Sequence, residues 1–350
     1  MTEADAPLAL MFRLQAAGCR HAGSPFYADL CDTLAADAER GGAVVGAMGK
    51  YAAAGFDDAY HLRLLAGVHR MVLAGEADQL RAHYPSTGGD GDANAAWSHI
   101  EPLLRDPPDA LLQAFERPLQ TNEVGRSASL AGGLATVAHD TGLPLRLLEI
   151  GSSAGLNLRM DRYYYEAAGG AWGDASSAVR FVDLWDGGAP PFDGRVRVVA
   201  RRGCDLAPID VSAPGADVTL LSFVWPGQVD RFDRLRDALA IARSTPVDID
   251  AVPVDEWLPR QLAALPLGVA TVVFHSVVWQ YIPEAAQAVV AGALQRAGAL
   301  AGPDAPLAWL RLEPATGMTH TELRCTTWPG GEERLLATAG FHAGRVHWIG

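Results

Sequence analysis

The sequence predicts an α/β fold: a mostly parallel sheet with an antiparallel closing pair, preceded by an all-α N-terminal region. Three observations carry this. Residues 1–143 show helical periodicity and almost no strand signal. Residues 144–350 alternate short apolar runs with amphipathic helices, the pattern of right-handed βαβ units. At the junction, the apolar run Leu145, Leu147, Leu148, Ile150 meets a glycine turn, as a strand covered on both faces does.

Taken in order, Ser24-Pro25 reads as an N-cap with proline at the first helical position. Asp57 and Asp58 open a helix whose Leu62, Leu65, Val68, Met71 and Val72 recur at helical spacing until Gly75 ends it. His69 lies on that apolar face, where a core or interdomain hydrogen bond is expected. Residues 84–95 form a loop, and short helices follow near 96–104 and 108–116. The last helix of this region starts at Thr121 and is stopped by Gly142 and Pro144. Beyond it, strands are expected at 145–150, 218–224, 248–254, 270–274 and 307–312, with helices at 156–166, 229–242 and 284–298. Residues 168–216, rich in Gly, Asp and Pro, read as an inserted β-hairpin with long loops. The tail from 321 reads as the closing antiparallel pair. The division expected is 1–143 and 144–350.

The turn, Glu149-Ile-Gly151-Ser152-Ser153-Ala-Gly155, admits three chemistries. A dinucleotide site needs a second glycine where Ser153 stands, and the serine hinders a pyrophosphate. Gly151-Ser152-Ser153-Ala154-Gly155 also spells GxSxG, which makes Ser153 a nucleophile with an acid and His320, His342 or His347. The helical first part and the strand-terminal Glu149 argue against such an elbow. The third ligand, S-adenosylmethionine, has no phosphate and needs only room for its methionine and ribose portions. Glu149-x-Gly151-x-Ser153-x-Gly155 resembles the first motif of class I methyltransferases, with serine in the middle place. The resemblance implies a Rossmann-like sheet, Glu149 near the cationic amino group, and Gly151, Ser152, Ser153 and Gly155 around the cofactor. It also implies Asp255 and Glu256 near the adenine, and His275 facing methyl donor and substrate as general base. One departure concerns the ribose, which such enzymes hold with an acid ending the second strand. Here the run 218–224 ends in Trp225-Pro226. Either Trp225 packs on the ligand, or the second strand is 195–200 and the acid is Asp205.

Several pieces in order, SPFY (24–27), HRMVLAG (69–75), YPS (84–86), QTNEVGR (120–126), LLEIGSSAGLNLRMDRY (147–163), RGCDL (202–206), FVWPGQ (223–228) and HSVVWQY (275–281), resemble a bacterial family known as domain of unknown function 2332. The resemblance implies this two-part layout and no particular reaction. Asn122, Glu123 and Arg126 read either as a helix cap with an i,i+3 pair or as substrate ligands. Trp279, Gln280 and Tyr281 frame an aromatic pocket or belong to the core. Tyr163, Tyr164 and Tyr165 cannot all face one way on a helix.

The net charge of −13 argues against a nucleic-acid partner, and the local run 195–202 reads as a solvated face. Lys50 is the only lysine. Cys19, Cys31, Cys204 and Cys325 lie far apart without metal-ligand spacing, as in a reduced chain. Neither a signal peptide nor a membrane span is read, so a cytoplasmic location is expected. The expected activity is methyl transfer from S-adenosylmethionine to a small molecule held between the two parts. A serine hydrolase and a non-catalytic binding protein are the alternatives.

Overall fold

The computed structural model describes residues 5–49, 51, 59–116, 122–342 and 344–350. Asp57 and Asp58, and the residues Gln120 and Thr121 that precede Asn122, lie outside the described residues. The chain forms two units, one of Met1–Thr121 with Ala213–Arg236, the other of Asn122–Ser212 with Asp237–Gly350.

The first unit is helical: α1 (Asp5–His21), α2 (Pro25–Glu39), α3 (Ala43–Met48), α4 (Tyr60–Ala74), α5 (Asp78–Arg81), α6 (Ala93–Arg105) and α7 (Asp109–Glu116). Pro25 occupies the first helical position of α2, and Gly75 ends α4 with φ of 74°. The core gathers Leu8, Phe12, Tyr27, Leu34, Leu65, Val72, Ile100 and Phe115. His69 is buried within it, Nδ1 3.1 Å from the Ser222 carbonyl and Nε2 2.8 Å from Ser86 Oγ. It is thus a core histidine of this unit, and burial pushes its pKa down to about 4.

In the second unit α8 (Ser127–Thr141) leads into β1 (Leu145–Ile150), followed by β2 (Tyr164–Ala167), β3 (Gly170–Gly173), β4 (Arg180–Val182), β5 (Trp185–Asp186) and β6 (Val198–Asp205). The chain then supplies α9 (Ala216–Ser222) to the first unit and runs through α10 (Val229–Ser244). It continues with β7 (Asp248–Ala251), α11 (Val254–Gln261), β8 (Ala270–Ser276), α12 (Glu284–Leu300), β9 (Leu307–Pro314), β10 (Thr321–Trp328), β11 (Glu332–Ala339) and β12 (Val346–Trp348). The nine-stranded sheet runs β5-β12-β11-β10-β9-β8-β1-β6-β7, and β2–β4 form a separate small sheet.

Strands β7, β6, β1, β8 and β9 are mutually parallel, while β10, β11 and β12 close the sheet as an antiparallel meander. The chain winds outward from β1 through β6 to β7, then crosses back to β8 and β9. The switch point therefore lies between β1 and β8, where open α/β sheets bind ligands at the carboxyl ends. On one face, Leu148, Ile150 and Val273 pack with Trp257 and Leu258 of α11 and Val290 and Leu294 of α12. On the other lies α8, whose Gly132 and Gly133 let it approach closely. A Cβ at Gly132 would fall 2.4 Å from the Trp348 ring, and one at Gly133 3.0 Å from Leu310.

Three local expectations are corrected. Residues 218–224 are not a strand: they fall on α9 and its end. A seven-residue apolar run fits a buried helix as well as a strand, and periodicity cannot separate them. The strand-like run 195–200 is not half of an inserted hairpin: from Val198 it is β6, paired in parallel with β1, as the alternative reading of the second strand has it. Its arginines are neutralised by partners distant in sequence: Arg201 by Asp161 at 2.5 Å and Arg202 by Asp250 at 2.6 Å. The helix expected after the glycine turn is a 3₁₀ segment, Asn157–Arg162, followed by β2. There the run of aromatics favours extended structure, and Tyr163 and Tyr165 are buried while Tyr164 is half-buried.

Candidate functional site

The site is built on the glycine turn, and nearly all of its backbone is engaged. Gly151 N and Ser152 N donate to the Cys204 carbonyl at 2.9 and 3.0 Å, and Gly155 N to Ser152 O at 2.7 Å. Ser153 N donates to Asp205 Oδ2 at 2.8 Å, and its carbonyl accepts from Ile209 N at 3.2 Å. Gly151, Ser153 and Gly155 all have positive φ, 69°, 50° and 67°. For the serine that is a strained conformation of the kind concentrated at functional sites. Both glycines also lack the space for a side chain. A Cβ on Gly151 would lie 2.6 Å from Val278 Cγ2, and one on Gly155 2.8 Å from Ile249 Cδ1.

Asp205 resolves the choice between the two expected second strands. It is the last residue of β6, beside β1, and its other oxygen accepts from Ala207 N at 2.9 Å. Trp225 lies instead in the first unit, packed against the helical core.

Glu149 sits beneath the turn, 3 % exposed, and burial raises its carboxyl pKa well above the ordinary value. Side chains alternate along a strand, and Glu149 pairs in register with Phe274, so Glu149 and His275 face opposite sides of the sheet. Ser152 Oγ donates to the Glu149 carbonyl at 3.1 Å.

Asn122, Glu123 and Arg126 precede α8 and are brought to the same edge. Asn122 Nδ2 donates to Ser152 O at 2.9 Å, and its Oδ1 accepts from Leu156 N at 3.2 Å, closing the turn from a second side. Glu123 caps the short 3₁₀ segment Val124–Arg126 by accepting from Gly125 N at 2.9 Å, with His342 Nδ1 3.8 Å from its other oxygen. Arg126 donates to Ser276 O at the end of β8 and to Phe341 O, both at 3.1 Å.

At the end of β8, His275 is fully buried and its Nδ1–H donates to Glu313 Oε1 at 2.6 Å. Its ring stacks on Trp279 at 5.0 Å, and Trp279 is half-buried. Tyr281 is 70 % exposed. Asp255 and Glu256 occupy the first turn of α11 rather than the end of a strand, and Glu256 pairs with Arg260 at 3.3 Å. Of the two acids on β7 itself, Asp250 accepts from Arg202 and from Trp257 Nε1 at 2.6 Å, which holds its carboxyl below the ordinary range.

Glu313 was missed by the sequence reading. Its signal was an acid at the end of the apolar run 307–312, the same feature that singled out Glu149. Of the triad histidines, His320 bonds to Thr319 Oγ1 at 2.9 Å and His347 to Asp186 at 2.7 Å. Among the described residues no helix is long and apolar enough to cross a membrane, and no group of three His, Cys, Asp or Glu is placed to hold a metal.

The chain belongs to the family described as uncharacterized protein conserved in bacteria (DUF2332), whose model matches residues 9–348. No curated protein and no solved structure matches it.

Proposed function

We propose that this member of the DUF2332 family binds S-adenosylmethionine at the carboxyl ends of β1, β6 and β8 and transfers its methyl group to a small molecule. The observation that carries the reading is the pairing of Asp205 with the glycine turn at the switch point of a β7-β6-β1-β8-β9 sheet. The donor set fits an adenosyl ligand. Each Asp205 oxygen accepts one backbone N–H in the bonds described above, and a carboxylate oxygen has a second lone pair for a ribose hydroxyl. The amides of Gly151, Ser152, Ser153 and Gly155 are spent within the chain and are not offered to a phosphate, which suits a ligand without one. Asp255 accepts from an adenine amino group, and Trp279 and Tyr281 supply aromatic surface. The sulfonium supplies an electrophilic methyl carbon when bound. The chain's contribution is orientation, by a turn held by Asn122, Asp205 and Glu149. Calorimetric titration with S-adenosylmethionine and S-adenosylhomocysteine tests this. Saturable heat is expected, and no binding at millimolar ligand overturns it.

A serine-hydrolase reading is favoured by one observation, the φ of 50° at Ser153 within GxSxG, since a nucleophile elbow is strained in the same way. Labelling of Ser153 by a fluorophosphonate, abolished in Ser153→Ala, is the result that would support it.

A further inference from the structure

Two non-glycine residues adopt left-handed φ at the ends of neighbouring strands: Ser153 after β1 and Val277 after β8, both at 50°. The conformation costs a β-branched residue most, so the surroundings must impose it on Val277. One oxygen contributes most of that constraint. Glu313 Oε1 accepts from His275 Nδ1 at 2.6 Å, from Val278 N at 3.2 Å and from Trp279 N at 3.4 Å, gathering the three residues that flank Val277. Val277 N donates to Leu312 O at 2.9 Å, so the turn is pinned to β9 at a second point. His275 Nε2 and Glu313 Oε2 are buried without hydrogen-bond partners, and the imidazole is held by stacking on Trp279. His275 is thus enclosed by Glu313, Trp279 and Trp309.

The pinned turn reaches the glycine turn through Val278. Its γ-methyl occupies the space a side chain on Gly151 would need, 2.6 Å from the position of that Cβ. We infer that Glu313 is a positioning residue of the glycine turn: its carboxylate fixes His275, Val278 and Trp279, and Val278 fixes Gly151 at the end of β1, two strands from Glu313's own β9. Its effect on ligand affinity rests on the proposed function; the mechanical coupling does not.

Amide hydrogen exchange on the full chain separates the two. In Glu313→Gln, whose neutral amide still offers an oxygen, exchange at Val278 and Trp279 should quicken, and at Gly151 and Ser152 with it. In Glu313→Ala the acceleration at all four should reach about tenfold, with the β6–β7 ladder unchanged. Acceleration at Val278 and Trp279 while Gly151 and Ser152 keep native rates would overturn the inference. Should Glu313→Ala not fold, Val278→Ala leaves the Glu313 cluster intact and removes the γ-methyls. Faster exchange is then expected at Gly151 and Ser152, and native rates there overturn the coupling. In parallel, S-adenosylhomocysteine should bind Glu313→Gln several-fold more weakly than the native chain. Absence of binding to the native chain defeats the proposed cofactor, and the exchange data still decide the role of Glu313.

Discussion

Asp205 at the end of β6 accepts the amide of Ser153, the strained residue of the turn after β1, at 2.8 Å. One carboxylate thereby ties two adjacent parallel strands at their carboxyl ends and also receives Ala207 N. Asp205→Ala strips both amides of their partner and is expected to cost about 1–3 kcal/mol in urea unfolding. Asp205→Asn keeps an acceptor and should lose less. No loss in Asp205→Ala would mean that the bond to Ser153 contributes nothing.

Gly203 faces Ser152 so closely that a Cβ would lie 2.0 Å from Ser152 Oγ and 2.9 Å from its Cβ. Gly203→Ala should therefore destabilise by about 1–3 kcal/mol through overpacking. Adding Ser152→Gly removes both opposing atoms and should recover most of the loss. A double variant no better than the single would show that the strain lies elsewhere.

Glu149 links folding to pH in an unusual direction. Its carboxyl pKa in the folded chain lies well above the ordinary 4.5, chiefly through burial. The stability it contributes is present below that ordinary value and is lost as pH rises towards the folded value, because the unfolded chain ionises first. Glu149→Gln removes the titration. The difference in unfolding free energy between variant and native chain should shift in favour of the variant as pH is raised from 4 to 7.

His69 acts at the opposite limb. With its pKa lowered to about 4 from 6.5 by burial, the neutral ring stabilises the fold above pH 6.5, and that contribution is lost as pH falls through the interval. The full linkage is on the order of 3 kcal/mol. In urea titrations at pH 7 and pH 5, the native chain should lose more stability on acidification than His69→Gln.

The parts of the fold legible in sequence are those whose local pattern has one physical solution. The β1 run ending at Gly151, the β8 run ending at His275 and the alternation of α12 with β9 are strand or helix at nearly the expected bounds. Strand β6 was legible as a strand, but its place beside β1 was one of two choices, because its arginines look solvent-bound until Asp161 and Asp250 arrive from 40 and 48 residues away. Asp205 was visible only as one of two choices, since whether 218–224 is helix or strand depends on what buries it. Asn122 and Arg126 were identifiable as polar residues near the sheet. Their use as donors to the Ser152 and Ser276 carbonyls is tertiary information.

The helical unit takes its last segment, Ala213–Arg236, from the far side of β6. During synthesis, α1 to α7 leave the ribosome long before Ser222, the carbonyl that His69 needs. The helical unit must wait, incomplete, while β1 to β6 are made, so a chain cut short between α7 and α9 holds neither unit whole.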